Sequence, residues 1–187
     1  FARHLSTFKS LRLLLSDQLN GSNNVNSQLN QGVTLDVIQL KEAYELARII
    51  NHFQGFWFIA ENSQKNNWAI DLSELARIWT NGCIIRSSLM QQLVSILKVD
   101  TTILSHPEMI KVIQQNRSSL AAIVGLSIHH QIAIPCMSDA INFLNGIATE
   151  LSGANLIQAQ RDYFGAHTFQ RYDAPEGDSF HHEWKAL

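Results

Sequence analysis

Hydrophobic side chains recur every three or four positions along most of the chain, and this spacing predicts helices rather than strands. The pattern indicates a first helix from Phe1 to about Asp17. A second helix, from about Asp36 to Glu61, would be about 40 Å long at the usual rise per residue. The apolar positions expected to form its buried face are Val37, Leu40, Tyr44, Ala47 and Ile50.

Two capping signals predict where later helices begin. The segment Asp71–Glu74 has the form of a capping box, with a carboxylate at the N-cap and a glutamate three residues later. It predicts a long helix over about 72–97. The segment Ser105–Glu108 repeats the signal and adds a proline suited to the first turn, which predicts a helix reaching about His129.

The remaining segments alternate between loops and shorter helices. Residues 19–32 are rich in Asn, Ser, Gln and Gly, a composition typical of a loop. A helix should run from Pro135 to about Leu151, and another should start at Gly153 or Asn155 and end with Gly165 as a left-handed C-cap. The chain after His167 has no clean period, which predicts an irregular, partly extended tail. Its aromatic residues, which should be buried against something, are Phe169, Tyr172, Phe180 and Trp184.

These elements predict an all-α fold, a bundle of long helices followed by an irregular C-terminal tail. Helices of such length are atypical of a small monomeric bundle and indicate a helix-rich subunit interface. The chain begins with Phe1 rather than Met and has a helical pattern from its second residue. We therefore expect it to be a piece of a larger protein.

Composition and charge exclude several classes of function. The chain has 187 residues, 45% of them hydrophobic and 16% charged, which is typical of a globular protein. A net charge of −2 gives no electrostatic case for a nucleic-acid partner. There is no apolar run of about 18 residues for a membrane span, and no secretory signal. Two cysteines form neither a disulfide framework nor a zinc motif, which fits a reducing cytoplasm.

The sequence "RDYFGAH", from Arg161 to His167, combines an arginine in the last turn of a helix with a histidine just beyond its end. The arginine side chain is a planar fork of donors suited to phosphate or carboxylate. Because the chain should reverse after Gly165, His167 can return close to Arg161, and the pair is a candidate anion site. The alternative is that Arg161 merely complements the helix dipole.

Other candidate groups have weaker patterns. Arg86 falls on the apolar stripe of the helix predicted over 72–97, so we expect a buried, structural ion pair there. Arg3 either binds an anion or belongs to a helix that starts upstream. The adjacent pairs His129-His130 and His181-His182 point apart, and no HExxH motif is present, so no metal site is expected. The sequence has neither GxGxxG nor GxxxxGK[ST].

Four stretches resemble decarboxylating 6-phosphogluconate dehydrogenase, in the same order along the chain. The ten-residue stretch "QRDYFGAHTF" carries the most specific likeness. The stretches are "FAR" at Phe1, "IWTNGCIIRS" at Ile78, "AIPCMSDAINF" at Ala133, and "QRDYFGAHTF" at Gln160 with "FHHEW" at Phe180.

The resemblance implies a position within a larger architecture. The family has an N-terminal Rossmann domain, a large all-α domain, and a tail that inserts into the partner subunit of a homodimer. Residues 1–168 would be the second half of the all-α domain, and 169–187 the tail. Arg161 and His167 would reach the other subunit's active site and bind the substrate, while Arg3 would contact the substrate phosphate within its own subunit.

The resemblance also implies an activity for the full-length protein. The family oxidatively decarboxylates 6-phosphogluconate to ribulose 5-phosphate with NADP in the cytoplasm. Its general-base Lys and acid Glu are expected upstream of Phe1, and NADP should be bound mainly by the N-terminal domain. This chain alone should therefore hold no catalytic residue and no cofactor, and should be inactive. The alternatives are an inactive helical dimerisation module and a diverged β-hydroxyacid dehydrogenase.

Overall fold

In the computed structural model, the described residues are 4, 6–20, 35–99 and 102–184. They confirm the all-α prediction, because they form seven α-helices and one 3-10 turn and no extended strand. The 3-10 turn covers Ile103–Ser105. The α-helices are α1 Lys9–Asn20, α2 Val37–Asn66, α3 Leu72–Trp79, α4 Ser88–Ile96, α5 Pro107–His129, α6 Pro135–Ile147 and α7 Ala154–Gly165.

The longest helix, α2, is fixed at both ends by its own side chains and backbone. The carboxylate of Asp36 accepts hydrogen bonds from the backbone N–H groups of Ile38 and Gln39, at 2.8 and 3.3 Å. The helix continues past the predicted end at Glu61, because the first left-handed residue is Asn67, with φ of 55°. Most of the loop predicted over 19–32 lies outside the described residues.

The buried face of α2 differs from the predicted stripe. Val37 and Tyr44 are 72% and 57% exposed, so neither belongs to the core. Of the predicted positions, Ala47 and Ile50 are confirmed as buried, and the other buried residues of this helix lie outside the predicted stripe. The buried residues of α2 are Ala43, Leu46, Ala47, Ile49, Ile50, Phe56 and Ser63.

Helices α2 and α5 pack antiparallel, as two polar contacts between them show. The carboxylate of Glu42 accepts a hydrogen bond from the Ser119 hydroxyl at 2.6 Å, and Glu45 accepts one from the Asn116 amide at 3.2 Å. Residue numbers rise along one helix as they fall along the other. Both Ser119 and Asn116 are buried, so these bonds satisfy polar groups that would otherwise be costly to bury.

The predicted helix over 72–97 is instead two helices joined by a loop at 80–87. The Asp71 N-cap is confirmed, with its carboxylate accepting from Glu74 N–H at 3.0 Å. The apolar period concealed the break, but Gly82 adopts φ of +72°, which does not continue a helix. Ser87 then caps α4 by accepting from Met90 N–H at 3.1 Å. Arg86 lies in this loop and is exposed, so the predicted buried ion pair is wrong.

A core cluster forms where α2, α3, α4, the 3-10 turn and the start of α5 meet. Phe56 of α2 is its bulkiest member, and its ring lies 5.4 Å from the Trp79 ring, centroid to centroid. Burial of this apolar surface is the main force that holds these short helices against the long one. The buried members are Ile49, Phe56, Leu72, Ala76, Met90, Leu93, Ile96, Leu97, Ile103 and Met109.

The later helices end close to where the sequence predicts. Helix α5 begins at Pro107 and ends at His129, although its N-cap is His106 rather than Ser105. Helix α6 begins at Pro135 and stops at Ile147, four residues before the predicted end. Contacts divide the chain into two compact units, Phe1–Asn142 and Phe143–Leu187. Throughout the described ranges, every helix is too short or too polar to cross a membrane.

Candidate functional site

The C-terminal end of α7 carries the "RDYFGAH" motif. The helix runs to Gly165, which retains helical backbone geometry, and the left-handed C-cap is Ala166 with φ of 46°. The prediction that Gly165 is the left-handed residue is therefore wrong. Thr168 also has a positive φ, of 63°. Two non-glycine residues on either side of His167 thus hold a backbone conformation that side chains disfavour.

Gly165 is required for a different reason, which is space. A β-carbon on Gly165 would lie 2.7 Å from both Cδ2 and Nε2 of the His167 ring. That separation is well below ordinary van der Waals contact, so any larger residue would push the imidazole away. The absence of a side chain at Gly165 is what lets the His167 ring lie against the helix.

Arg161 lies on the face of α7 to which His167 returns. Arg161 and Gly165 are four residues apart, so their Cα–Cβ directions lie on the same helix face. Because the His167 ring lies against the Cβ position of Gly165, it is folded onto the face that carries Arg161. Both side chains are exposed, and Arg161 has a hydrogen bond of 3.4 Å to the Gln158 side chain.

Asp162, next to Arg161, is fully buried and accepts hydrogen bonds from distant parts of the chain. Its Oδ1 accepts from the backbone N–H of Thr168 at 3.0 Å, and lies 2.9 Å from Nδ1 of His181. Its Oδ2 accepts from the backbone N–H of His182 at 3.0 Å and from the Trp184 indole N–H at 2.9 Å. Four donors around one carboxylate satisfy a charge that would otherwise be very unfavourable to bury.

Two opposing effects act on the pKa of Asp162. Burial alone would raise that pKa, because it disfavours the charged form. The hydrogen bonds from His181, His182 and the other donors outweigh burial and hold the pKa far below its ordinary range. Asp162 is therefore an anion at neutral pH.

Further contacts hold the tail within the C-terminal unit, Phe143–Leu187. Phe169 and Phe180 form an antiparallel bridge, with backbone N–H to O distances of 2.8 and 2.9 Å. The Trp184 ring meets the Tyr163 ring edge-on at 5.8 Å. The tail aromatics are not buried within this chain, since Phe169 and Phe180 are half-buried while Tyr172 and Trp184 are 78% and 40% exposed.

Of the predicted site residues, Arg161 and His167 share one helix face. Arg3 lies outside the described residues, so its predicted phosphate contact is not tested. Across the described ranges, His, Cys, Asp and Glu do not gather in groups of three that could hold a metal ion.

The residue next to the motif's arginine whose burial sequence reasoning missed is Asp162. An acid beside an arginine near a helix end has the pattern of an ordinary surface charge. The signal that could have indicated its burial lies in the tail. The stretch "FHHEW" is rich in ring N–H donors, which need acceptors when the rings pack against the protein.

Comparisons with known proteins show which family the chain resembles along its length. The family described as "6-phosphogluconate dehydrogenase, C-terminal domain" matches residues 1–184. Among curated proteins, the chain is 36% identical over 187 residues to "6-phosphogluconate dehydrogenase, decarboxylating" of Buchnera aphidicola, and 36% identical over 187 residues to that of Haemophilus influenzae. The alignments cover 98% of this chain but only 39% and 38% of those relatives.

A solved structure gives the same likeness in three dimensions. It is of Plasmodium falciparum 6-phosphogluconate dehydrogenase, described in its apo form and in complexes with its cofactor NADP+ and its substrate 6-phosphogluconate. The TM-score is 0.86 at 30% identity, over 98% of this chain and 39% of that one. The chain thus spans about two-fifths of the length of the proteins it matches.

The low pKa of Asp162 predicts how stability depends on pH. Its charged form stabilises the fold above its unfolded-state pKa, near 3.8, and that contribution is lost as pH falls towards the lower folded-state pKa. We expect wild type to melt at a higher temperature than Asp162→Asn, by a margin that is steady from pH 7 to 5 and shrinks below about pH 4. Thermal melts across this range measure the margin. Asp178→Asn, at an exposed aspartate of the same unit, is the control, and a margin unchanged at low pH would contradict the prediction.

Proposed function

Because the chain belongs to the 6-phosphogluconate dehydrogenase C-terminal domain family, we propose that it is the substrate-anchoring and dimerisation part of an NADP-dependent decarboxylating 6-phosphogluconate dehydrogenase. The longer protein would oxidise 6-phosphogluconate with NADP and release carbon dioxide and ribulose 5-phosphate. The observation that carries the proposal is the exposed Arg161 and His167 pair on one face of α7. We also propose a cytoplasmic location, with which free Cys83 and Cys136 are consistent.

The pair has the chemistry that a phosphate group requires. The Arg161 guanidinium offers several N–H donors and a permanent charge, and a sugar phosphate offers three oxygens that accept. The His167 ring adds a further donor on the same face. The neighbouring carboxylate of Asp162 is occupied by its own donors, so it is not free to neutralise Arg161.

The proposal places the binding of the coenzyme mainly in other parts of the longer protein. Dinucleotides bind where a strand leads through a glycine-rich turn into a helix, and the sequence has no such motif. The proposal likewise places the family's general-base Lys and acid Glu in other parts of the longer protein. The proposal therefore assigns this chain the binding of the substrate phosphate and assigns the chemistry to other parts of the longer protein.

The proposed dimer is supported by apolar groups that the second unit leaves exposed. Seven large hydrophobic residues in the described part of this unit are at least half exposed, although burial would stabilise them. They are Ile147, Leu151, Leu156, Ile157, Tyr163, Phe164 and Tyr172. A partner subunit covering this surface would bring Arg161 and His167, which lie in the same unit, to its own active site.

The first experiment is Arg161→Ala in the full-length enzyme. We expect the KM for 6-phosphogluconate to rise about 10- to 100-fold, because hydrogen bonds to charged groups contribute about 1.5–3 kcal/mol. The melting temperature should change little, since Arg161 is exposed. Steady-state kinetics measure the effect. Arg77→Ala removes an exposed arginine that pairs with Glu74, and serves as the matched control. An unchanged KM in the Arg161 variant would refute the anchoring role.

A second experiment tests the position of the His167 ring. Gly165→Ala would place a methyl group against that imidazole, and the KM for 6-phosphogluconate should rise about tenfold as the ring is displaced. Gly146→Ala, whose new methyl would meet nothing within 4 Å, is the control and should leave KM unchanged. Equal KM values for the two variants would argue against a substrate contact by His167.

A third experiment tests the dimer. Ending the full-length chain after Phe169 removes three of the four donors to Asp162, as well as exposed Tyr172. We expect sedimentation velocity to report monomers at concentrations where the intact protein is dimeric. Circular dichroism should show that the helices persist. A truncated protein that remains a dimer would show that the tail is dispensable for assembly.

A further inference from the structure

The backbone on both sides of His167 has a disfavoured conformation. Ala166 and Thr168 both have positive φ, at 46° and 63°, and for a β-branched threonine this is a strained state. Such residues persist only where the surroundings fix them. His167 lies between these two residues. The contacts that fix them therefore also fix the backbone position from which the His167 ring extends.

One residue contacts both strained positions. The backbone carbonyl of Asp162 accepts from Ala166 N–H at 2.9 Å, and its carboxylate accepts from Thr168 N–H at 3.0 Å. Gln158 adds a hydrogen bond from its side chain to the Thr168 carbonyl. Asp162 is therefore bonded immediately before and immediately after His167, and is itself the residue that follows Arg161.

The same carboxylate depends on the tail. Three of its four donors belong to His181, His182 and Trp184, about twenty residues further along the chain. If the tail leaves, Oδ2 loses both of its partners, and the buried charge is no longer satisfied. Docking of the tail and the geometry at His167 are thus linked through one side chain.

We propose that Asp162 is a positioning residue of the phosphate anchor: its buried carboxylate fixes the turn that carries His167 and makes the geometry of the anchor depend on a docked tail. The proposal rests on the proposed substrate contacts of Arg161 and His167. Asp162 is fully buried, so it acts through those residues and does not meet the substrate itself.

The test uses the full-length enzyme carrying Asp162→Asn, which keeps the shape and replaces one acceptor oxygen by a donor. We expect the KM for 6-phosphogluconate to rise about tenfold, with kcat and the KM for NADP within about twofold of wild type. Asp178→Asn makes the same chemical change at an exposed position of the same unit and should change none of these values. A merely structural role would instead lower kcat, as active enzyme is lost, and leave KM unaltered.

A double-mutant cycle separates this inference from the proposal on which it rests. In an enzyme that already lacks both anchor side chains, Arg161→Ala with His167→Ala, adding Asp162→Asn should raise KM no further. A further tenfold rise in that background would overturn the positioning role. If the anchor variants themselves leave KM unchanged, the proposed function fails. If they raise KM and Asp162→Asn does not, only the present inference fails.

Trp184→Phe covers the case in which Asp162→Asn does not fold. It removes a single N–H donor to Oδ2 and keeps an aromatic ring against Tyr163. The KM for 6-phosphogluconate should then rise severalfold with kcat unchanged. A KM equal to wild type in this variant would overturn the link between tail docking and the anchor.

Discussion

The buried carboxylate of Asp162 is the constraint on which the C-terminal unit depends. A charge without access to water is tolerated only when donors surround it, and here one backbone N–H comes from Thr168 and three donors come from residues 181–184. Each donor brings its own segment to the end of α7. The helix end, the chain reversal and the tail are therefore held together by these hydrogen bonds. A tail this short could not be ordered by burial of apolar surface alone.

This arrangement separates the charges of neighbouring residues. Successive residues on a helix point about 100° apart, so Arg161 and Asp162 leave α7 in different directions. Asp162 turns inward to its donors, while Arg161 and His167 remain exposed. Because its own donors already satisfy Asp162, this carboxylate does not compete for the donors on the outward face, as an anchor for a phosphate group requires.

Local signals in the sequence were sufficient for much of the fold. The caps at Asp36 and Asp71 act within one helical turn, so they could be identified from neighbouring residues. The break at 80–87 was missed because apolar spacing continues through the loop, and the φ of Gly82 is a property that periodicity does not encode. The motif singles out Arg161 and His167 as candidates, and their substrate contacts stay a prediction. The burial of Asp162 could not be identified from the motif, because its partners lie about twenty residues away and only the folded tail brings them together.

The choice of residues after Phe164 shows which requirement prevailed at this turn. Glycine would relieve a left-handed backbone most easily at position 166, yet alanine stands there, and the glycine is one residue earlier in helical geometry. A left-handed non-glycine residue costs about 1–2 kcal/mol. Ala166 carries that cost. The residue without a side chain, Gly165, lies instead where the His167 ring approaches the helix. The residue types at this turn thus favour space for the imidazole over relief of backbone strain. Asp162 holds the strained residues in place through its hydrogen bonds.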